Sequence, residues 1–275
     1  MKIKFLGTAA AEGFPGSFCN CKYCKKAREM GEKYYRTRSQ ALIDGKILID
    51  MPADTYYHFL KNNIRGDEIE SVIFTHTHSD HFYVKELDMR GAGYGKDMQV
   101  QKLNVLVPQN GRVEIDGLGN HTNDIMNVVV AEPYKTVKFG EYEVTPLRAK
   151  HGYGDIDANI YLIKKGDKTF LYGHDTGYFY EEVFDYLVEN KVFINGLTLD
   201  CCYGSLPISD EGAHMGYPNV ERLLNRLEEL GIINKTTKRV INHFSHNVNP
   251  MQDVLEEESK HLNCIVAYDG MVLEI

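Results

Sequence analysis

Four metal-capable side chains fall within six consecutive positions of this chain, His76-Thr77-His78-Ser79-Asp80-His81. Directly before them, Val72-Ile73-Phe74-Thr75 is apolar and β-branched and predicts a buried strand. A polar cluster where a central strand gives way to a loop is the place where open sheets carry their chemistry. Imidazole nitrogens and carboxylate oxygens bind borderline divalent ions such as Zn²⁺. In an extended segment His76 and His78 project to the same side and can grip one ion. Asp80 and His81 follow after the chain turns and could start a second site. The chain reads as a metallohydrolase whose fold must bring further ligands to this strand end.

Three other residues share that setting. His151 follows a strand over 141–147, Asp175 follows the apolar strand 169–172 and precedes Thr176-Gly177, and His243 ends a strand over 239–242. Singly, each has a blander explanation, since a lone His after a strand is commonly a surface residue and Asp before Thr-Gly a turn former. Beside a four-ligand cluster, the joint reading as metal ligands is preferred.

Strand signals also cover 2–6, 40–43, 46–50, 104–107, 136–139 and 158–163, with Asp44-Gly45 marking a hairpin. A short helix is expected at 53–62 and another around Val183, Phe184 and Leu187. A clearer one runs through Val220, Leu223, Leu224, Leu227 and Leu230, with Asn219 as N-cap and Gly231 as its stop. Residues 82–101 and 109–127 read as loops over the site. The segments 264–268 and 271–275 around Asp269-Gly270 read as a closing hairpin. With no repeat and no low-complexity linker, the expectation is one α/β domain over residues 1–275.

The remaining composition narrows the partners. Net charge is −8 with no long basic run, which argues against nucleic acid, since that partner needs an extended Lys/Arg footprint. A small anionic substrate is compatible, because metal ions can supply the local positive field. No stretch approaches the ~20 apolar residues of a membrane span. The first residues lack a signal-peptide core, so a cytoplasmic location is expected, where six cysteines are reduced or metal-bound rather than disulfide-paired.

Three of those cysteines form Cys19-Asn20-Cys21-Lys22-Tyr23-Cys24. Thiolates this close suit three corners of a tetrahedral Zn²⁺ better than disulfides with one another. His246 is the natural fourth ligand, with His261 or Cys264 as fallbacks. Cys201, Cys202 and, if His246 is the fourth ligand, Cys264 fit no motif and are expected to be buried apolar filler.

The order His-x-His-x-Asp-His, a later His, Asp-Thr-Gly and a final His resembles the metallo-β-lactamase superfamily. That resemblance implies a four-layer αββα sandwich with a dinuclear site at one edge of its two sheets. It puts His76, His78 and His151 on one metal, Asp80, His81 and His243 on the other, and Asp175 between them; His174 is a bystander. Two cations roughly 3.5–4 Å apart would lower the pKa of a bridging water from ~15.7 toward ~7 and neutralise charge growing on a phosphoryl or acyl oxygen. Asp80, doubling as a ligand, and His214, as general acid, are the expected catalytic residues.

Leu6-Gly7-Thr8-Ala9-Ala10, Gly13-Phe14-Pro15, the Cys triplet and Ala27-Arg28 together resemble the phosphoribosyl 1,2-cyclic phosphate phosphodiesterases of phosphonate breakdown. In that branch a structural zinc is held by such a triplet and a His three residues beyond a catalytic one. His243-Phe244-Ser245-His246 has that spacing, which favours His246, and His214 matches the branch's proton-transfer histidine in chain order. The resemblance implies two active-site divalent ions (Zn or Mn), one structural Zn, a small cyclic phosphodiester as substrate and a homodimer. Two relatives offer alternatives: an iron-dependent oxidoreductase similar to pyrroloquinoline quinone biosynthesis protein B, whose first metal cluster is degenerate where this one is intact, and an RNA-processing endonuclease. Arg36, Arg38, Ser39, Arg148 and Lys150 are candidate phosphate contacts, and Tyr153 and Tyr178 candidate pocket walls.

Overall fold

The computed structural model describes all residues except 92, 119–123 and 153–156. Its strands form two seven-stranded mixed sheets. The first has the order β14-β1-β2-β3-β4-β5-β6, with β1 Lys2–Gly7, β2 Gln40–Ile43, β3 Ile47–Ile49, β4 Ser71–Ile73, β5 Leu103–Val107, β6 Met126–Val130 and β14 Val272–Glu274. The second runs β13-β12-β11-β10-β9-β8-β7, with β7 Val137–Phe139, β8 Tyr142–Arg148, β9 Asn159–Lys165, β10 Lys168–Gly173, β11 Gly196–Asp200, β12 Lys238–Asn242 and β13 Ile265–Val266.

Side-chain alternation along these strands generates the layers. In β9, Tyr161 and Ile163 face the first sheet's Ile3, Phe5, Ile43, Ile49 and Ile73 and form the core between the sheets. Ile160 and Leu162 point the other way, onto α4 (Glu181–Glu189) and α5 (Tyr217–Glu229), which bury Val183, Phe184, Leu187, Val220, Leu223, Leu224 and Leu227 there. The outer face of the first sheet (Leu6, Leu48, Val72, Val105) is covered by Phe59 of α2 (Thr55–Asn62), Ile115 of α3 (Arg112–Asp116) and the 3₁₀ turns Val84–Arg90. The expected αββα sandwich is what the chain forms. A smaller cluster packs α1 (Lys22–Met30) through Cys24 and Ala27 against Phe14 and Met251, near α6 (Gln252–Glu258).

In each sheet a run of parallel strands delivers its carboxyl ends to one edge. β3, β4, β5 and β6 are parallel, as are β10, β11, β12 and β13. The register sets Ile49 beside Ile73, and Asp200 beside Asn242. The residues just past these ends therefore meet across the gap between the sheets.

Three expectations change. The closing hairpin does not form, because β13 joins β12 in one sheet and β14 joins β1 in the other. Asp269-Gly270 does make a turn, with Met271 N–H donating to the Tyr268 carbonyl, but the turn carries the chain from sheet to sheet. The segment 109–127 contains α3, and strand β6 begins inside it at Met126. The α5 helix starts at Tyr217 with Gly216 as its cap; Asn219 is the third helical residue and its Oδ1 accepts from Gly216 N–H at 3.1 Å. Gly231, at φ 70°, ends it as expected.

Phe170, fully buried between the sheets, offers a direct check on this core. Phe170→Ala should cost about 3–5 kcal/mol in urea unfolding; a loss below about 1 kcal/mol would contradict the packing described.

Candidate metal centre

The first loop is built on β4. Beyond it, Thr75 donates its N–H and hydroxyl to the Asp50 carboxylate at 2.7 and 2.9 Å, which fixes the direction in which His76 leaves the strand. His76 Nε2 lies 2.9 Å from His78 Nδ1, and His151 Nε2 lies 3.0 Å from the same atom. His151 Nδ1–H donates to the Ala213 carbonyl at 3.1 Å, so its Nε2 presents a lone pair inward. Burial pushes the pKa of His76 well below its ordinary value and lowers that of His151. These are neutral rings, the form that binds a cation.

The second group surrounds His81. Its Nδ1–H donates to Asp50 Oδ2 at 2.7 Å, and its Nε2 faces Asp80 Oδ2 at 3.1 Å and Asp175 Oδ2 at 3.0 Å. His243 Nε2 approaches Asp175 Oδ2 at 3.2 Å, and its Nδ1 lies 3.3 Å from Asp200 Oδ2. The other oxygen of Asp175, Oδ1, is 3.6 Å from His151 Nε2. One carboxylate thus presents an oxygen to each group, as a bridging ligand would.

Buried Nε2 of His81, Nε2 of His243 and Oδ2 of Asp175 have no hydrogen-bond partner. Burial would lower the pKa of His81, yet Asp175, Asp80 and Asp50 outweigh it and hold the value well above normal. Burial likewise opposes ionisation of Asp175, while His243 and His81 hold its pKa well below the usual range. The carboxylates need positive charge, and divalent cations would supply it through the inward-facing atoms. The donor set fits divalent metal ions on that ground. Asp50 and Asp200 would be the hydrogen-bonded supports that orient the ligating imidazoles.

His214 overhangs this group. Its ring stacks on His243 at 5.5 Å and 15°, and its Nδ1 donates to Asp200 Oδ2 at 2.8 Å. Although burial opposes it, Asp200 and then Asp175 raise the His214 pKa to about 9. A cleft of about 490 Å³ opens here, lined by Ala10, Glu12, His78, Cys202, Tyr203 and His214 among others.

The Cys triplet also assembles. Donor atoms of Cys19, Cys21, Cys24 and His246 all lie within 4.8 Å of one another. His246 Nδ1 is 3.7 Å from Cys19 Sγ and 3.9 Å from Cys21 Sγ. Cys21 caps α1; burial opposes its ionisation, but the Cys24 N–H and His246 bring its pKa down to about 6. Burial raises Cys24 to about 12. His261 instead packs against Tyr217, and Cys264 Sγ contacts the Leu262 carbonyl.

Several other expectations are settled by position. His174 is a bystander, its two ring nitrogens held by Ser39 and Thr198 hydroxyls at 3.2 and 2.7 Å. Arg36 is not a phosphate contact: it is buried, donating to the Pro250 and Ala267 carbonyls, Thr8 and Gln252. Arg38 pairs with Asp54, Arg148 with Glu182, and Lys150 donates to the Asp210 carbonyl. Ser39 is buried on Tyr172 and His174, and Tyr178 packs on Phe184. None of these lines the cleft. Tyr153 lies outside the described residues. Cys201 is core, whereas Cys202 reaches the cleft, its thiol within 4.8 Å of donor atoms of His214 and His243. Asp50 and Asp200 were missed, although each follows an apolar strand as Asp175 does.

The profile of the β-lactamase superfamily domain matches residues 46–243, a span that contains His76–His81, His151, Asp175 and His243. The chain belongs to the metallo-β-lactamase superfamily. No curated protein matches it significantly. Its fold is similar to that of Zn²⁺-bound PqqB from Methylobacterium extorquens (TM-score 0.73, 15% identity, 100% of both chains covered). It is also similar to a diphosphatase of the PhnP family (0.68, 19%, 100% of this chain and 97% of that one) and to YhfI from Bacillus subtilis (0.69, 17%, 99% of both). At these identities the likeness concerns the fold. Superfamily members are mostly metal-dependent hydrolases, with some oxygenases, and no helix among the described residues is long and apolar enough to cross a membrane.

Asp50→Asn should weaken metal binding at the histidine–aspartate group about 10–100-fold, as measured by Mn²⁺ titration. Affinity within twofold of the parent would remove Asp50 from the site's support.

Proposed function

We propose that this protein is a two-metal phosphodiesterase acting on small cyclic phosphates of the ribose 1,2-cyclic type. The observation that carries the reading is the bridging geometry of Asp175, one oxygen toward His151 and the other toward His81 and His243. His76, His78 and His151 would hold one divalent ion, Asp80, His81 and His243 the other, with Zn or Mn as the metal; Cys19, Cys21, Cys24 and His246 would hold a structural Zn. When bound, a metal pair supplies a water acidic enough to attack at neutral pH and neutralises charge on the phosphoryl oxygens.

The chain's own residues do the rest. Asp50 and Asp200 keep His81, His214 and His243 oriented. His214, held protonated by Asp200, stands over the ligands and gives its proton to the departing oxygen. Its Nδ1–H is committed to Asp200, so Nε2 is the nitrogen that faces the reaction.

The cleft supports a small substrate. About 490 Å³ is the size of pocket that encloses a small molecule. No Lys or Arg is among the described residues lining it, whereas an RNA-processing enzyme needs a cationic track for the backbone. The intact histidine–aspartate set favours hydrolysis over iron-dependent oxidation, and a diphosphatase of the PhnP family shares the fold.

The purified protein should carry roughly three metal ions per chain and turn over bis-p-nitrophenyl phosphate with Mn²⁺ or Zn²⁺. His78→Ala and Asp175→Ala should each lose at least about 100-fold, and equal inactivity of parent and variants would end the hydrolase reading. A panel of ribose 1,2-cyclic, 2′,3′-cyclic and 3′,5′-cyclic phosphates with diphosphate esters then selects the substrate.

His214→Ala separates proton donation from metal binding. It should cost about 10²–10⁴-fold on an alkyl phosphodiester and far less on a p-nitrophenyl ester, whose leaving group needs no proton. An equal loss on both would show that His214 is not the acid.

A further inference from the structure

Glu12 has no part in the reading above, yet it stands where the thiolate cluster and the cleft meet. It lies in the loop after β1, and it lines the cleft with Ala10, Ser245 and Asn247. Its Oε1 accepts from Ser245 Oγ–H at 2.6 Å and from His246 N–H at 3.1 Å, and lies 3.7 Å from His246 Nε2.

The two nitrogens of His246 therefore face different things. Nδ1 is turned to the Cys19 and Cys21 sulfurs and Nε2 to a carboxylate. For Nδ1 to offer a lone pair to a cation, the proton must sit on Nε2, and an acceptor beside Nε2 favours that tautomer. Gly16 packs against the same ring; a Cβ there would come within 3.4 Å of His246 Nε2.

The same segment carries His243. Phe244 N–H donates to the Thr8 carbonyl, and Ala10 N–H to the Phe244 carbonyl, so loop and segment are stitched by backbone bonds of 3.1 and 3.0 Å. Ser245 N–H donates to the Cys202 carbonyl, and Asn247 N–H to Ser245 Oγ. His243 itself sits at φ 66°, a left-handed conformation kept only where the surroundings enforce it. Glu12 grips the segment two and three residues beyond His243, at Ser245 and His246.

We propose that Glu12 is a positioning residue that couples the two metal clusters through residues 243–246. Metal in the thiolate site holds His246, Glu12 transmits that hold to Ser245 and the backbone, and His243 is thereby fixed for the histidine–aspartate site. Coupling of this kind is reciprocal, so each site tightens the other. The inference rests on the reading that both clusters bind metal.

The test measures metal binding on the zinc-loaded full chain. Zinc release from the thiolate site to a chromophoric chelator and Mn²⁺ affinity of the other site are compared in the parent, Glu12→Ala, Glu12→Gln, Cys21→Ser and Glu12→Ala/Cys21→Ser. Glu12→Ala should release zinc about 10–100-fold faster and bind Mn²⁺ several-fold more weakly. Cys21→Ser should weaken Mn²⁺ binding to a similar degree, and the double variant no further, because both changes cut one connection. Glu12→Gln keeps an acceptor for Ser245 and His246 N–H but loses the charge facing Nε2. It should regain Mn²⁺ affinity while still releasing zinc faster than the parent, and it carries the test if Glu12→Ala does not fold. Parent-like zinc release in both Glu12 variants, additive losses in the double variant, or a parent that binds no zinc through its cysteines would each overturn the proposal. Turnover is not among the readouts. A protein with this coupling and no phosphodiesterase activity would sink the function proposed above and leave the coupling standing.

Discussion

Unpaired donor atoms at the carboxyl ends of two sets of parallel strands are what the rest of this structure is arranged around. His81 Nε2 and His243 Nε2 lie 3.0 and 3.2 Å from Asp175 Oδ2, yet none of the three buried atoms makes a well-formed hydrogen bond, an arrangement that is costly unless further charge compensates it. Asp50, Asp175 and His243 also hold positive φ values of 63°, 52° and 66°. A packed sandwich can enforce those conformations because each residue lies at the end of a buried strand, and Asp50 is held further by the Thr75 N–H and His81.

The two sheets contribute to the centre in parallel ways. From the first, Asp50 orients His81 and receives Thr75, aligning the whole His76–His81 loop. From the second, Asp200 holds His214 and stands beside His243. Neither aspartate faces the cleft, yet each decides where an imidazole points. The same economy appears at the far end of the loops, where Arg36 is enclosed by backbone carbonyls and Asp269 accepts from Thr8 and Thr37. Thr8, which accepts from Arg36 and donates to Asp269, joins the two side chains and ties the loop after β1 to the turn between β13 and β14, which accounts for Arg36 as a structural residue rather than a substrate contact.

Residues with local signatures were legible in advance. The His76–His81 cluster and the Cys triplet each carry a pattern of type and spacing that few other roles explain, and the polar residues after apolar strands at 151, 175 and 243 gain their meaning beside that cluster. Asp50 and Asp200 have the same pattern as Asp175 but lack a neighbouring motif to single them out. The closing hairpin failed for a different reason: Asp-Gly encodes a tight turn, while the partner of each flanking strand is chosen by which sheet edge is open.

The sequence by itself determined which candidate ligand types sit at strand ends and that strands and helices share one α/β domain, because residue type and period-2 alternation are local properties; the αββα layering was implied by the resemblance that the order of the motifs carries. Only the tertiary structure decided which atom of Asp175 faces which histidine group, that His246 rather than His261 or Cys264 completes the thiolate cluster, and that Glu12 stands between the two clusters. Those facts depend on distances across the gap between two sheets and between residues more than two hundred positions apart. Burial and packing set such distances, and no run of neighbouring residues encodes them.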